Sequence, residues 1–353
     1  MVLLMPYDRD TTIDILRGLA IFTMVAANMA ASVAAQPHPF GLRLYGSFAA
    51  PLFILLSGMM VAFTAQTKGH EWKYFLFRGA MIMMVGVFVD VVIWNGVCPF
   101  VDVDVLYLIG LSVPLAFLYL RLGTSSQWVV IVLIFLLTPF FQKILGYTEY
   151  VNPIYLWGEQ IKTVPVKTQT SIFNHWIVDG WFPIFPWLGF SLLGVNFAQQ
   201  RWKYQAFDTF GKKSILLLGL GILIIGSGVW WLYPGSLLTR EEASELFYPP
   251  TVGYIITTIG LILILFYIVD RKPSLFIYKP LRALGELSLF IYVIHIPLIE
   301  YVISPIWSKQ SVQIFLLIYV GFLFFLILLG YGLRGLKSRW KNRPFIFRFL
   351  LGG

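Results

Sequence analysis

Apolar and polar positions alternate along this chain on the scale of whole helices, not of single turns. Runs of about 20 apolar residues, each long enough to cross a ~30 Å hydrocarbon layer as an α-helix, are separated by short polar stretches. The pattern predicts ten such helices, over residues 12–34, 46–67, 73–95, 104–121, 127–145, 182–200, 213–233, 250–269, 283–303 and 311–335. The fourth and sixth are short and contain proline, which leaves their limits soft. In lipid every backbone polar group must be satisfied internally. The expected class is therefore all-α, a polytopic membrane helix bundle forming a single transmembrane domain over residues 1–353.

Small and kinking residues refine this picture. Gly79 and Gly86, Gly219 and Gly221, and Gly226 and Gly228 are spaced to let helices approach closely. Pro51, Pro114, Pro139, Pro183, Pro186 and Pro297 mark kinks whose freed carbonyls must face protein or a cavity. Two loops are long, residues 146–181 and 234–249. The first carries Pro153, Pro165, Trp157, Trp176 and Trp181; the second carries Arg240, Glu241, Glu242 and Glu245. Loops of this length are usually binding loops or lids. The tryptophans suit either the membrane interface or a substrate platform.

Charge sets the expected orientation. Hydrophobic residues make up 58% and charged ones 12%, with a net charge of +9. With the N-terminus inside, the outer loops hold Arg43, Lys143, Lys162, Lys167, Arg240 and Lys309. That leaves about 20 of the 26 basic residues on the inner side, as the positive-inside rule requires. Both termini are thus expected in the cytoplasm. The positive charge reads as topology, not as a nucleic-acid surface, which would gather it on a polar soluble domain. The basic tail can also touch anionic headgroups. The single cysteine, Cys98, excludes an intramolecular disulfide and reads as a small apolar residue. No HExxH, Walker A, GxGxxG or GxSxG pattern occurs, and four separated histidines suggest no metal site. The first residues lack the basic region and cleavage site of a signal peptide, so the first span is expected to be an uncleaved anchor.

Ionisable residues in or beside apolar spans carry the candidate chemistry, because each is costly there. Asp14 and Arg17, three apart on one helix face, can form a structural ion pair, or Arg17 can meet an anionic ligand. Asn28 lies about three turns along the same helix. His38, between Pro37 and Pro39, is either an exposed loop histidine or one held in place; its ordinary pKa suits general-base work near neutrality. Asp90, Asp102, Asp104, His175, Asp179, His295 and Glu300 form a further set on the outer side. Asp90 stands out between Val89 and Val91, and His295 lies within an apolar span. For His295 a functional role and a buried structural one both remain open.

Four segments together resemble a known family. RDTTIDILRGLAIFTMVAANM looks like the opening of the membrane acyltransferases related to heparan-alpha-glucosaminide N-acetyltransferase, and so relatives of the wider acyltransferase 3 superfamily. FPIFPWLGFSLLG resembles that family's P-x-x-P-W-x-G…G helix. ALGELSLFIYVIHIPLIEYV is similar to its late G-x-x-S-L-x-x-Y-x-x-H helix, and DVLYLIGL to a mid-chain segment. The resemblance runs from residue 9 to about 303. It implies transfer of an acetyl group from cytoplasmic acetyl-CoA to an amino sugar or other glycan acceptor across the membrane, without a metal. By motif, Asn28 and His38 take the family's Asn and catalytic His positions, with His38 offset by about one residue. The family's Asp in this region has no counterpart; Gly46 and Ser47 stand near its place. Asp90 or Asp179 would then orient His38. A sister family of O-acyltransferases places a His where Asn28 stands, which points to the N-acetyltransferase branch.

Under this resemblance Asn28 can donate to the thioester oxygen as charge develops there. Inner basic residues, Arg17, Lys73, Arg78, Arg201 and Lys203, are placed to hold the coenzyme phosphates. Arg78 leads them, in FRGAMIMMVG, a segment similar to a family R…G segment; topology alone would also put them there. The expected location is the plasma (inner) membrane, multi-pass, with a homodimer allowed. The competing class is a transporter or a lipid or glycan flippase without acyl-CoA chemistry, which spans, prolines and intramembrane charges suit equally.

Overall fold

The computed structural model describes residues 10–147, 156, 171–203, 210–234, 244–340 and 342–352. The expectations placed on Pro153, Trp157, Pro165, Lys162, Lys167, Arg240, Glu241 and Glu242 lie outside the described residues, as does that on the side chain of Lys203. In chain order the helices are α1 (Thr11–Val33), α2 (Phe40–Gly46), α3 (Ala49–Lys68) and α4 (Trp72–Phe88), the last running into a π-helical turn, Val89–Ile93. Then come α5 (Val105–Tyr119), α6 (Thr124–Leu145), and α7 (Ile172–Asn174) with a π turn at His175–Asp179. α8 (Ile184–Ala198), α9 (Lys213–Leu232), α10 (Val252–Arg271) and α11 (Lys279–Gly285) follow. α12 (Ser288–Leu298) ends in a π turn, Ile299–Ile303, before α13 (Val312–Arg339) and α14 (Phe345–Leu350). Among the described residues there is no strand, only an isolated bridge between Ala34 and Gln310.

The protein is an all-α, multi-pass membrane protein. Among the described residues seven helices are long and apolar enough to cross a bilayer. Two more spans arise if each bent pair counts as one: Ile172–Asp179 with Ile184–Trp202, bent by 52°, and Phe276–Gly285 with Ser288–Ile303, bent by 80°. The count is thus seven to nine where the hydrophobic pattern predicted ten. The remaining segment, α5, has 15 residues, about 22 Å of helix at 1.5 Å per residue, short of a full crossing.

The chain folds into two compact units. One holds residues 53–241 and 247–263. Lipid supplies no hydrophobic drive between helices, so association rests on close packing. Here glycines provide it. A Cβ on Gly79 of α4 would stand 2.3 Å from the Gly110 carbonyl oxygen of α5, and one on Gly226 of α9 would stand 2.3 Å from the Thr257 nitrogen of α10. Gly58 and Gly194 let α3 and α8 meet in the same way. Gly221 and Gly228 do not serve as expected: a Cβ at either would meet nothing within 4 Å. They sit on the open face of α9, among Leu217, Ile224 and Ile225, an apolar surface suited to lipid.

The other unit holds residues 7–52, 242–246 and 264–353. Its centre is α1, whose Ile13, Leu16, Ala20, Ile21, Val25, Met29 and Val33 are buried. α1 crosses α11 at backbone distance: a Cβ on Gly18 would lie 2.0 Å from the Leu281 carbonyl oxygen, and one on Gly285 would lie 1.8 Å from that of Asp14. α13 closes the unit with Phe315, Tyr319, Phe322, Leu323 and Leu326, while its opposite face is exposed and apolar. At the far end of α1, Gln310 donates from its N–H to the Val33 oxygen at 2.7 Å, and Ala35 donates to the Gln310 oxygen at 2.8 Å. These two bonds tie the segment after α12 to the end of α1.

Candidate functional site

Two polar rungs join α1 to α12 and to the π turn that ends it. Asn28 and Ser32 are four apart on α1 and so share a face. The Asn28 side-chain nitrogen lies 2.8 Å from His295 Nε2, and the Ser32 hydroxyl donates to Glu300 at 2.5 Å. His295 and Glu300 are five apart, which on a regular α-helix would turn them about 140° from each other. The proline at 297 and the π turn beginning at Ile299 alter that spacing and let both side chains reach α1. π turns of this kind occur often at functional sites.

His295 is fully buried, and its neighbours fix its tautomer. Nδ1 lies 3.0 Å from the Ile291 oxygen and 2.6 Å from the Tyr292 oxygen. Carbonyls only accept, so Nδ1 carries the proton and donates. In the neutral ring Nε2 is then a bare lone pair that accepts from the Asn28 amide. Asn28, Ser32 and Glu300 are each half-exposed, so this buried anchor backs a partly exposed polar face.

His38 lies in the same unit, in the Ala34–Pro39 connection between α1 and α2, with Pro39 capping α2. It is only 6% exposed, so the reading of an exposed loop histidine gives way to one held in place. The helix that follows is pinned by residues 244–246. Arg43 donates from Nε to the Ser244 oxygen at 3.1 Å, and the Leu246 N–H donates to the Ser47 hydroxyl oxygen at 2.7 Å. That hydroxyl donates in turn to the Arg43 oxygen at 2.6 Å. Glu245 sits between the two pins. Burial pushes its carboxyl up to about 7, against the pull of backbone N–H groups and the Arg43 charge.

At the other end of α1, Asp14 is buried and Arg17 half-buried where the helix crosses α11. Beyond that crossing Glu286 pairs with Arg282 at 3.0 Å and with Arg334 at 3.3 Å, and the Thr12 hydroxyl donates to Asp270 at 2.7 Å.

The remaining candidates belong to the other unit. Asp90 is 6% exposed in its π turn and accepts from the Tyr107 hydroxyl. His175 is buried with Nδ1 at 2.8 Å from the Val101 oxygen, and Asp179 is buried nearby in the same π turn. Lys73 and Arg78 lie on the exposed side of α4, whose buried side is Phe75, Gly79, Ile82 and Gly86. Arg201, by contrast, is 4% exposed.

The structure therefore brings together Asn28 and His295, which the sequence offered in separate groups. Ser32 escaped sequence reasoning, as did the Arg43–Ser47 seat of residues 244–246. The available signal for Ser32 was its i+4 spacing from Asn28. Among the described residues no group of three or more His, Cys, Asp or Glu is placed to hold a metal.

Residues 9–225, well over half of the 353, match the sequence model of the family described as heparan-alpha-glucosaminide N-acetyltransferase, catalytic. The matched stretch includes Arg17, Asn28, His38, Lys73, Arg78 and Asp90 and stops short of His295 and Glu300. A search of curated proteins gave no match.

Proposed function

The chain belongs to the heparan-alpha-glucosaminide N-acetyltransferase catalytic family, and from that premise we propose that it moves an acetyl group from acetyl-CoA on the cytoplasmic side to an amino group of a sugar or glycan on the other. The observation that carries this reading is the family match through α1 and His38, joined to the half-exposed Asn28 amide anchored on a buried histidine at 2.8 Å.

The acceptor amine attacks the thioester carbonyl carbon. His38 takes the amine proton and returns it to the sulfur as the carbon–sulfur bond breaks, so that coenzyme A leaves as its thiol. A positioned base of this kind contributes roughly 10²–10⁴-fold. Asn28 contacts the reacting groups. Lys73 and Arg78, both exposed on α4, hold the coenzyme phosphates. Fixing both substrates in one channel would contribute about 7–11 kcal/mol of the barrier reduction. The same arrangement solves the supply problem of acetylating a sugar on the side of a membrane that acetyl-CoA does not reach. The protein sits in the plasma membrane with both termini in the cytoplasm.

Thermal unfolding of purified protein in detergent, with and without acetyl-CoA, tests the donor assignment. Stabilisation of wild type that Arg78→Ala loses supports it. Well-folded protein that acetyl-CoA leaves unchanged moves the account to a transporter.

A further inference from the structure

Asn28 has an amide that could face its substrate either way round. A primary amide offers two N–H donors on one side and an acceptor oxygen on the other, and rotation by half a turn exchanges them. In this protein one partner decides between the two. His295 Nδ1 faces two carbonyl oxygens, at 3.0 and 2.6 Å, so it must carry the proton, and Nε2 has only a lone pair to offer. The Asn28 atom 2.8 Å away is then its nitrogen, and its oxygen is turned away from His295. The reverse rotamer would set oxygen against a nitrogen lone pair, two acceptors with no proton between them.

We propose that His295 is a positioning residue for acetyl transfer, acting through Asn28: its bare Nε2 fixes the amide so that the Asn28 oxygen accepts an N–H of the acceptor amine. The inference rests on the transferase reading above and adds a residue beyond the family-matched stretch. It also revises the expected role of Asn28. The amide orients the nucleophile, with its lone pair aimed at the thioester carbon, instead of serving first as a donor to the thioester oxygen. The Ser32–Glu300 rung, one turn further along α1, holds the π turn against α1 and so keeps His295 in register.

The test is a double-mutant cycle on the full-length protein in proteoliposomes, with acetyl-CoA as donor and glucosamine as acceptor probe. His295→Leu and Asn28→Ala should each lower kcat about 10²-fold, the scale of a misplaced reacting group, with little change in KM for acetyl-CoA. The double variant should be no slower than Asn28→Ala alone, because His295 acts only through that amide. His295→Gln, whose side-chain oxygen can accept from Asn28, should recover part of kcat. Thermal unfolding of each variant separates loss of fold from loss of position. A double variant slower by the product of the two single effects, or a His295→Leu variant with wild-type kcat, overturns the inference and leaves the transferase reading standing. Wild-type protein that binds acetyl-CoA but acetylates no acceptor overturns that reading, and the role of His295 with it.

Discussion

Burial raises the Glu245 carboxyl to about 7, and the backbone N–H groups of 244 and 245 together with the Arg43 guanidinium only partly offset it. A carboxyl whose folded pKa lies above its unfolded value binds its proton more tightly when folded. Its contribution to stability is then fully present below about pH 4.5 and is lost as pH rises to about 7. Glu245→Gln should remove that loss and leave the protein more stable than wild type at pH 8, read from thermal unfolding across the range. The neighbouring pin makes a second prediction. Ser47→Ala leaves the buried Leu246 N–H without the hydroxyl that accepts it at 2.7 Å, which should cost about 1–3 kcal/mol in thermal unfolding. Neither residue was legible as a pair in the sequence, because 199 positions separate Ser47 from Leu246 and no local pattern links them.

At the scale of the element, glycine is where sequence and packing can be compared side by side. Gly79 and Gly226 serve as helix contacts as their spacing suggested, while Gly221 and Gly228 face open space. Spacing says that a helix has a smooth face but not which way the face turns. The close contact between α1 and α11 was missed. Gly18 and Gly285 bring two backbones together within van der Waals limits, and only the tertiary fold pairs them. Gly18→Ala should cost about 1–3 kcal/mol or more through overpacking. Gly221→Ala should be neutral or stabilising by up to ~1 kcal/mol from helix propensity. Unfolding of both variants in the same detergent checks the pair. The π turn that ends α12 has the same lesson. Pro297 was visible as a kink, but the π turn that lines up His295 with Glu300 depends on hydrogen bonds that only the folded chain displays. Asn28 was found by its place in a motif, Glu300 by its charge in an apolar run, and Ser32 not at all, since a lone serine in an apolar helix has many ordinary uses.

At the scale of the whole molecule, the hydrophobic runs made the class and most of the helices readable, because a membrane span needs only length and apolarity. α5, at 15 residues, shows where that rule weakens: a short helix among longer ones borrows its setting from its neighbours. Orientation rests on the basic residues alone. After Cys98→Ser, a cysteine at Ser308 should react with a membrane-impermeant maleimide in intact cells, and one at Gly69 only after lysis; the reverse pattern would invert the topology and with it the side assigned to acetyl-CoA. Under the proposed function, Arg17 at one end of α1 would serve the donor and Asn28 at the other the transfer, a division along a single helix. The most direct test of that claim is acetyl transfer itself. Protein reconstituted in vesicles is given labelled acetyl-CoA on the cytoplasmic face and glucosamine on the other, for wild type and His38→Ala. The account predicts labelled N-acetylglucosamine from wild type and a loss of roughly 10²–10⁴-fold in the variant; well-folded wild type that makes none, or a variant with full activity, would contradict it.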